Sequence, residues 1–514
     1  MSLGPAVRSA VGRHTAAVLV AAGAVLALPA APVMAQNPGS EAWRPAVRDG
    51  FGDPRTTGVE ELEAMAGRLF AATRRRPGAG AAGVWVTDGR SGWATVPFDP
   101  PLPSTAAAVP AMTSDGAGEL VVGTQDTAGG ALHRLDGAVL RRWSAWQGAP
   151  GTSVAPGPLL TGEHVYFGTE QRSGAALWRV SRTSGIPERV LDFSRIDPTI
   201  DLVGGVASFK ARLYAGTRST QPDRAALWSS ATGAPGTWRR VSASRRGFAA
   251  LHGGQSAGIE QVGVAFGVLG DELFVGLANR ERGGLVLTTA DGRDWRIAMT
   301  AGVDVVGNEA LVGYQPFEGA LWMSSVASRP ASAMVFDVSH QPGIGTSFGR
   351  MSEAGFGDPA TRGGSPDLAV FDGALWWGGA NARTGAQVWR LAADDLRRAL
   401  ATGPGVELPR RPLRLDASGR LPVPVTCPME DPGGCHGQLE VHTQRRFGDG
   451  RRRQRIFVGG EIYTIAPGRT RTYRLRLPRA LVRFLRTRTP MRLDVRAVAF
   501  DNARNARATL LLRR

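Results

Sequence analysis

The sequence predicts an all-β protein, a seven-bladed β-propeller followed by a small β-sandwich. Three observations carry that expectation. The chain has 514 residues with 68 glycines and 34 prolines and few long helical patterns, a composition that suits many short strands joined by tight turns. One unit of about 50 residues recurs between positions 45 and 405, the size of a propeller blade. Beyond it, apolar residues alternate with arginine and threonine at period two, as in antiparallel strands with one wet face.

The N-terminus carries Arg8 and Arg13, then an apolar stretch over 15–28, then Val33-Met34-Ala35. Positive, apolar and small-residue segments in that order are the pattern of a secretory signal peptide. Residues 1–35 are therefore expected to be a leader cut after Ala35, with the mature protein secreted. The apolar run is too short for a transmembrane span of ~20 residues. No later segment is long and apolar enough to cross a membrane.

The repeat fills 36–405, the expected propeller domain. Its unit is a polar turn, a short apolar strand ending in Gly-Thr or Gly-Gly, a loop, then a strand of the form Ala-Leu-Trp. Leu368-Ala-Val-Phe-Asp-Gly-Ala-Leu-Trp-Trp-Gly-Gly-Ala-Asn381 with Gly385-Ala-Gln-Val-Trp-Arg390 is the fullest copy. Other copies include Val206–Thr217 and Glu163–Thr169, while those near 72 and 324 are worn. The strand ends at 72, 123, 168, 216, 276, 324 and 378 are spaced by 51, 45, 48, 60, 48 and 54 residues. Seven blades fit, with six and an insertion as the alternative. The small residues are expected to let a strand approach the central channel, and each tryptophan to fill the gap between blades. Of the adjacent Trp376 and Trp377, which face opposite sides of a strand, either could be exposed.

Gly50-Phe-Gly-Asp-Pro54 recurs as Gly355-Phe-Gly-Asp-Pro359, each ahead of a repeat unit. With the AVF-G-LYAGT and TGAQVW patterns, this resembles a family of secreted bacterial propeller proteins. Thr288-Thr-Ala-Asp-Gly-Arg-Asp-Trp295, Thr87–Trp93 and Ser229–Trp238 resemble the Asp-box turns of sialidase-type propellers. The resemblance implies a hairpin shaped by Asp and Gly with Trp packed beneath it, which is a folding element. Asp53 and Asp358 could ligate calcium, but Asp-Pro more simply makes a turn.

Residues 406–514 are the expected sandwich, joined by a linker at 403–412, and resemble a bacterial immunoglobulin-like or fibronectin-like domain. Cys427 and Cys435 are the only cysteines, and in an exported protein two close cysteines form one disulfide. From position 410 onward there are 24 arginines, no lysine and 8 acidic residues, +16 of the total +17. Arg445, Arg446, Arg451, Arg452, Arg453 and Arg455 fall in one expected hairpin around Phe447-Gly-Asp-Gly450. Such a hairpin would hold an anionic surface through salt-sensitive contacts; a solvated face with codon bias is the plainer reading.

Catalytic patterns are weak. Of five tyrosines, only Tyr314 falls in an expected loop, and no phosphate loop, nucleophile elbow or histidine cluster stands out. No cofactor is expected. The expected function is non-enzymatic: a monomeric secreted binding or scaffold protein whose partner is a cell-envelope polymer, a glycan or a protein, with no sequence-specific nucleic acid. The alternative is a glycan-active enzyme, a sialidase-like hydrolase or a lyase. Acidic residues converging with arginines at one channel mouth would favour the enzyme, and a mouth of small and apolar residues the scaffold.

Overall fold

A computed structural model describes residues 42–514 except 173, 222, 242–257, 282, 300–307, 328–334, 342–344, 353, 397–405, 429–434, 448–453, 467, 500–505 and 514. The expected leader and its cleavage point lie outside the described residues, as does the start of the linker.

Each repeat unit folds as a four-stranded meander. Blade 1 spans 56–96, blade 2 108–147, blade 3 159–192, blade 4 200–240, blade 5 261–299 and blade 6 308–350. Blade 7 takes three strands from 361–392 and its outermost strand, Arg44–Val47, from far earlier in the chain. There Arg44 lies opposite Arg390 and Pro45 opposite Trp389. The inner strands neighbour one another in order around the ring, and Thr361–Phe371 of blade 7 lies against Thr56–Met65 of blade 1. Seven blades thus form a closed ring, and no insertion in a six-bladed one is needed. Radial closure leaves only the short outer strand of each blade as an edge, so most of this β-structure stays protected from edge pairing.

The recurrent glycine serves the neighbouring blade rather than the channel. A Cβ at Gly168 would overlap the Val203 carbonyl oxygen, and one at Gly216 would overlap the Val262 carbonyl oxygen. At Gly276 it would stand 2.6 Å from the Leu311 carbonyl oxygen, and at Gly378 2.5 Å from Val59 Cγ1. Each partner sits in the inner strand of the next blade. In the worn blade 6 the place is taken by Ser324, whose hydroxyl accepts a hydrogen bond from Trp377 Nε1 at 3.1 Å. Gly168→Ala is therefore expected to cost about 1–3 kcal/mol of stability, an overpacking penalty measurable by urea unfolding.

Aromatic side chains lock the blades together. Neither Trp376 nor Trp377 is exposed, at 4% and 0%. Trp376 packs with Val59 and Leu69 of blade 1, and Trp377 with Phe317 and Trp322 of blade 6. The two copies of Gly-Phe-Gly share one backbone shape, with φ of 68°, 61° and 87° at 50–52 and 60°, 52° and 82° at 355–357. A phenylalanine at positive φ is strained, and ring stacking holds it. Phe51 lies 4.8 Å from Trp85, and Phe356 lies 4.4 Å from Trp377 and 4.8 Å from Trp389. The carboxylates that follow are engaged within the protein. Asp53 accepts from Arg55 and Arg75, and Asp358 from the Ala360 amide and Asn381 Nδ2. The turn reading of these residues therefore holds.

The Asp-box segments form hairpins between third and fourth strands. Asp291 Oδ1 accepts from the Arg293 and Asp294 amides at 2.8 Å each, Gly292 has φ of 72°, and Trp295 is buried. Asp88 does the same for Arg90 and Ser91. In the third copy Ser230 supplies the acceptor for the Thr232 and Gly233 amides.

The C-terminal region forms a sandwich. Its larger sheet runs in the order Leu413–Arg414, Ala506–Arg513, Met491–Ala499, Cys435–Phe447, Gln454–Ile465, and its smaller sheet pairs Leu421–Thr426 with Thr470–Leu475. Leu439, Val441, Leu493 and Val495 of one sheet share a core with Leu421, Val423 and Leu475 of the other. Cys427 and Cys435 are joined, with Cα atoms 5.6 Å apart. Arg479–Thr487 is a helix whose Leu485 is buried.

Candidate anion-binding face of the C-terminal sheet

The pleat sorts the residues of Met491–Ala499. Leu493, Val495 and Ala497 enter the core, so Arg492, Asp494 and Arg496 stand on the opposite face. Arg496 lies opposite Glu440 on one neighbouring strand and Arg507 on the other. By the same period Arg507 and Arg513 share that face of the strand Ala506–Arg513.

Asp494 organises this face. Its side chain is 1% exposed beneath three guanidinium groups. Arg455 Nη1 and Arg496 Nη2 donate to Oδ2 at 3.0 Å each, and Arg507 Nε donates to Oδ1 at 2.8 Å. Burial pushes the Asp494 carboxyl up, but hydrogen bonds from Arg507 and Arg496 outweigh it and hold the carboxyl below its ordinary value. Three arginines on Asp494 leave a surplus of two positive charges in that cluster, with Glu440 opposite Arg496 as a second acid on the face. Burial, aided by Arg496, pushes His442 down, so it adds no charge at neutral pH. Phe457, 53% exposed, lies 5.2 Å from the His442 ring, opposite it across the strand pair. The face thus offers guanidinium forks for oxyanions and an aromatic surface for stacking.

Asp494→Asn is expected to lower stability by about 2–3 kcal/mol at pH 7, less than for a fully buried pair because its arginines are partly solvated. Asp494's folded pKa is depressed, so its contribution is present above the unfolded carboxylate value and is lost as pH falls through the folded one. Urea unfolding of wild type and variant should therefore diverge at neutral pH and converge in acid.

The residues singled out from sequence divide. Cys435–Phe447 and Gln454–Ile465 do form the expected hairpin, with Arg446 opposite Arg455. Arg455 belongs to the Asp494 cluster. Arg445 stands 5.9 Å from the Phe447 ring, which Arg488 also covers at 5.6 Å. Arg451, Arg452 and Arg453 lie outside the described residues, and nothing is described of the Arg446 side chain. Arg492, Arg496, Arg507 and Arg513 were not singled out. The alternation Arg492-Leu-Asp-Val-Arg496 was the signal for the first two, since period two puts the polar members on one face.

No protein-family model matches the chain, and no curated protein matches it. Solved structures share a distant likeness. PorZ, described as an essential bacterial surface component of the type-IX secretion system of Porphyromonas gingivalis, is 14% identical over 91% of this chain, with a TM-score of 0.39, and the chain spans 60% of its length. YCF48 from Cyanidioschyzon merolae is 10% identical, over 68% of this chain and 99% of its own, with a TM-score of 0.41. Trypanosoma rangeli sialidase with the inhibitor DANA is 9% identical, over 89% and 85%, with a TM-score of 0.40. At such scores the propeller assignment rests on the closed ring itself.

Inside the propeller, acidic residues and arginines do gather where the inner strands begin. Arg218 bridges Glu170 at 2.6 Å and Asp201 at 3.0 Å, and Arg280 bridges Glu260 at 3.2 Å and Glu309 at 3.6 Å. Two arginines thus meet four carboxylates, within blades and across their boundaries, and leave a surplus of acid there. Tyr314 lies in the inner strand Asn308–Phe317 rather than in a loop, and its hydroxyl is buried with no hydrogen-bond partner among the described residues. Burial pushes its pKa far up, which suits a packing residue and not a nucleophile. Glu61 is buried too. It accepts from the Met112 amide and, at 2.9 Å, from the Gly157 amide, tying blade 1 to blades 2 and 3. No helix among the described residues is long and apolar enough to cross a membrane.

Proposed function

We propose that this chain is a secreted, non-enzymatic binding protein that holds an anionic polymer of a cell envelope on the arginine face of its C-terminal sheet, with the propeller as a rigid platform. The observation that carries this reading is the Asp494 cluster. One carboxylate pre-orders three guanidinium groups on an exposed sheet face, which lowers the ordering cost of binding. Arg492 and Arg513 add exposed positive charge to the same face. Retention of the full chain on immobilised polygalacturonate tests it, with neutral dextran as control. Retention on the acidic polymer alone supports the reading, and equal behaviour on both contradicts it.

The ion pairs at the channel end favour a second reading, a glycan-active enzyme on the propeller. Release of reducing sugar from acidic glycans, lost on Glu170→Gln, would support it.

A further inference from the structure

A cavity of about 600 Å³ lies at the ring-closing seam, between the end of blade 7 and the start of blade 1. Gly58, Pro359, Ala360, Ala380 and Ala382 give it a largely apolar lining. Arg74, Arg362 and Arg383 also line it. Gly58 and Ala380 are opposite one another across the seam, so the cavity is built on paired backbone.

The repeat supplies its own controls. The inner-strand place held by Asp201, Glu260 and Glu309 in blades 4, 5 and 6 is held by Thr57 in blade 1; in blade 7 Thr361 pairs with Asn381 as Ile200 does with Ser219, and Arg362 follows it directly with no acid between. In blades 4 to 6 those carboxylates neutralise Arg218 and Arg280. At the seam the acid is missing and arginines have been added. In blade 5, Asn279 Oδ1 accepts from the Glu281 amide at 3.1 Å, and in blade 7 Asn381 Oδ1 accepts from the Arg383 amide at 2.9 Å. Arg383 therefore stands where blade 5 has an acid. Likewise Arg362, opposite Ala380, stands where blade 5 has Gln261 opposite Ala278.

Arg74 is paired with Glu60 at 2.8 Å. Arg362 and Arg383 are exposed, and among the described residues neither side chain has an ion-pair or hydrogen-bond partner. Three guanidinium groups thus meet one carboxylate in a concave, largely apolar site. Water would hydrate two solvated arginines on a convex surface at no loss. In a cavity with an apolar lining they are placed to grip an oxyanion while its body covers the alanines and proline.

We infer that the seam between blades 1 and 7 binds a compact ligand bearing one oxyanion group, carboxylate or phosphate, with Arg362 and Arg383 as the recognising residues. This site is separate from the C-terminal face and stands or falls without it.

The probe is benzoate, titrated calorimetrically into the full chain in about 0.15 M salt, which screens diffuse attraction to the basic surface. Neutral benzamide is the matched control. The expected result is saturable one-site binding of benzoate, with benzamide not bound. Arg362→Gln with Arg383→Gln is expected to raise Kd about tenfold or more, the scale of a lost charge-assisted contact. Thr57→Glu restores the acid of the other blades and should abolish binding. Arg492→Gln with Arg513→Gln should leave it unchanged. Melting temperatures of these surface variants check that they fold. Absence of a saturable site overturns the inference, and so does equal binding of benzamide or unchanged affinity in the seam variants.

Discussion

Trp43→Ala should lower the unfolding free energy by about 3–5 kcal/mol, the range for removing a buried tryptophan. Trp43 is 3% exposed, donates Nε1–H to the Met351 carbonyl oxygen at 2.9 Å, and meets Phe356 edge-on at 5.4 Å. It immediately precedes Arg44–Val47, the strand that completes blade 7. Its loss therefore also loosens the clasp between the two ends of the propeller. Urea unfolding measures the effect, and a loss below about 1 kcal/mol would show that the clasp is not a main support.

The second large effect is a dependence on pH. Glu61 and Glu63 lie on the inner strand of blade 1. Burial, against hydrogen bonds from Ser114, pushes Glu63 up to about 7. Burial pushes Glu61 well above its ordinary value, and the neighbouring Glu63 adds to this. A carboxyl raised in the folded state gives stability that is full below its unfolded value, and that is lost as pH rises through the folded one. For Glu63 the window runs from the ordinary 4.5 to about 7. A shift of this size corresponds to about 3–4 kcal/mol. Glu63→Gln should remove that part of the decline, so wild type and variant should differ more at pH 8 than at pH 4.5. Parallel stability curves across that window would contradict the assignment.

The blade count was legible because one constraint repeats in every unit. The second strand must be apolar and must end in a small residue, since the next blade's backbone comes within contact of it at Gly168, Gly216 and Gly276. That constraint marks each copy whatever the loops do. Ring closure was not legible. Arg44-Pro-Ala-Val47 has no strand periodicity, and it becomes a strand only because Val388 and Trp389 present an unpaired edge to it. Tyr314 was misplaced for a related reason. Gly313 beside it suggests a loop, yet Gly313 at φ of 60° lies within the strand's irregular pairing between Val312 and Gln315. The disulfide followed from the presence of just two cysteines, close in sequence, in a chain expected to be exported. The C-terminal face was half legible, because charge density drew attention to the hairpin tip while Asp494, the residue that orders the arginines, is a single acid inside a strand.

The most direct test of the anionic-polymer reading is the salt dependence of affinity for polygalacturonate, measured on the full chain and on Arg492→Gln with Arg513→Gln. These two arginines are exposed and lie outside the Asp494 cluster, so their loss should leave the fold intact. The account predicts that log K falls linearly with log salt, and that the variant binds more weakly with a slope shallower by about one to two. Identical slopes and affinities in the two proteins would contradict it and place the binding surface elsewhere.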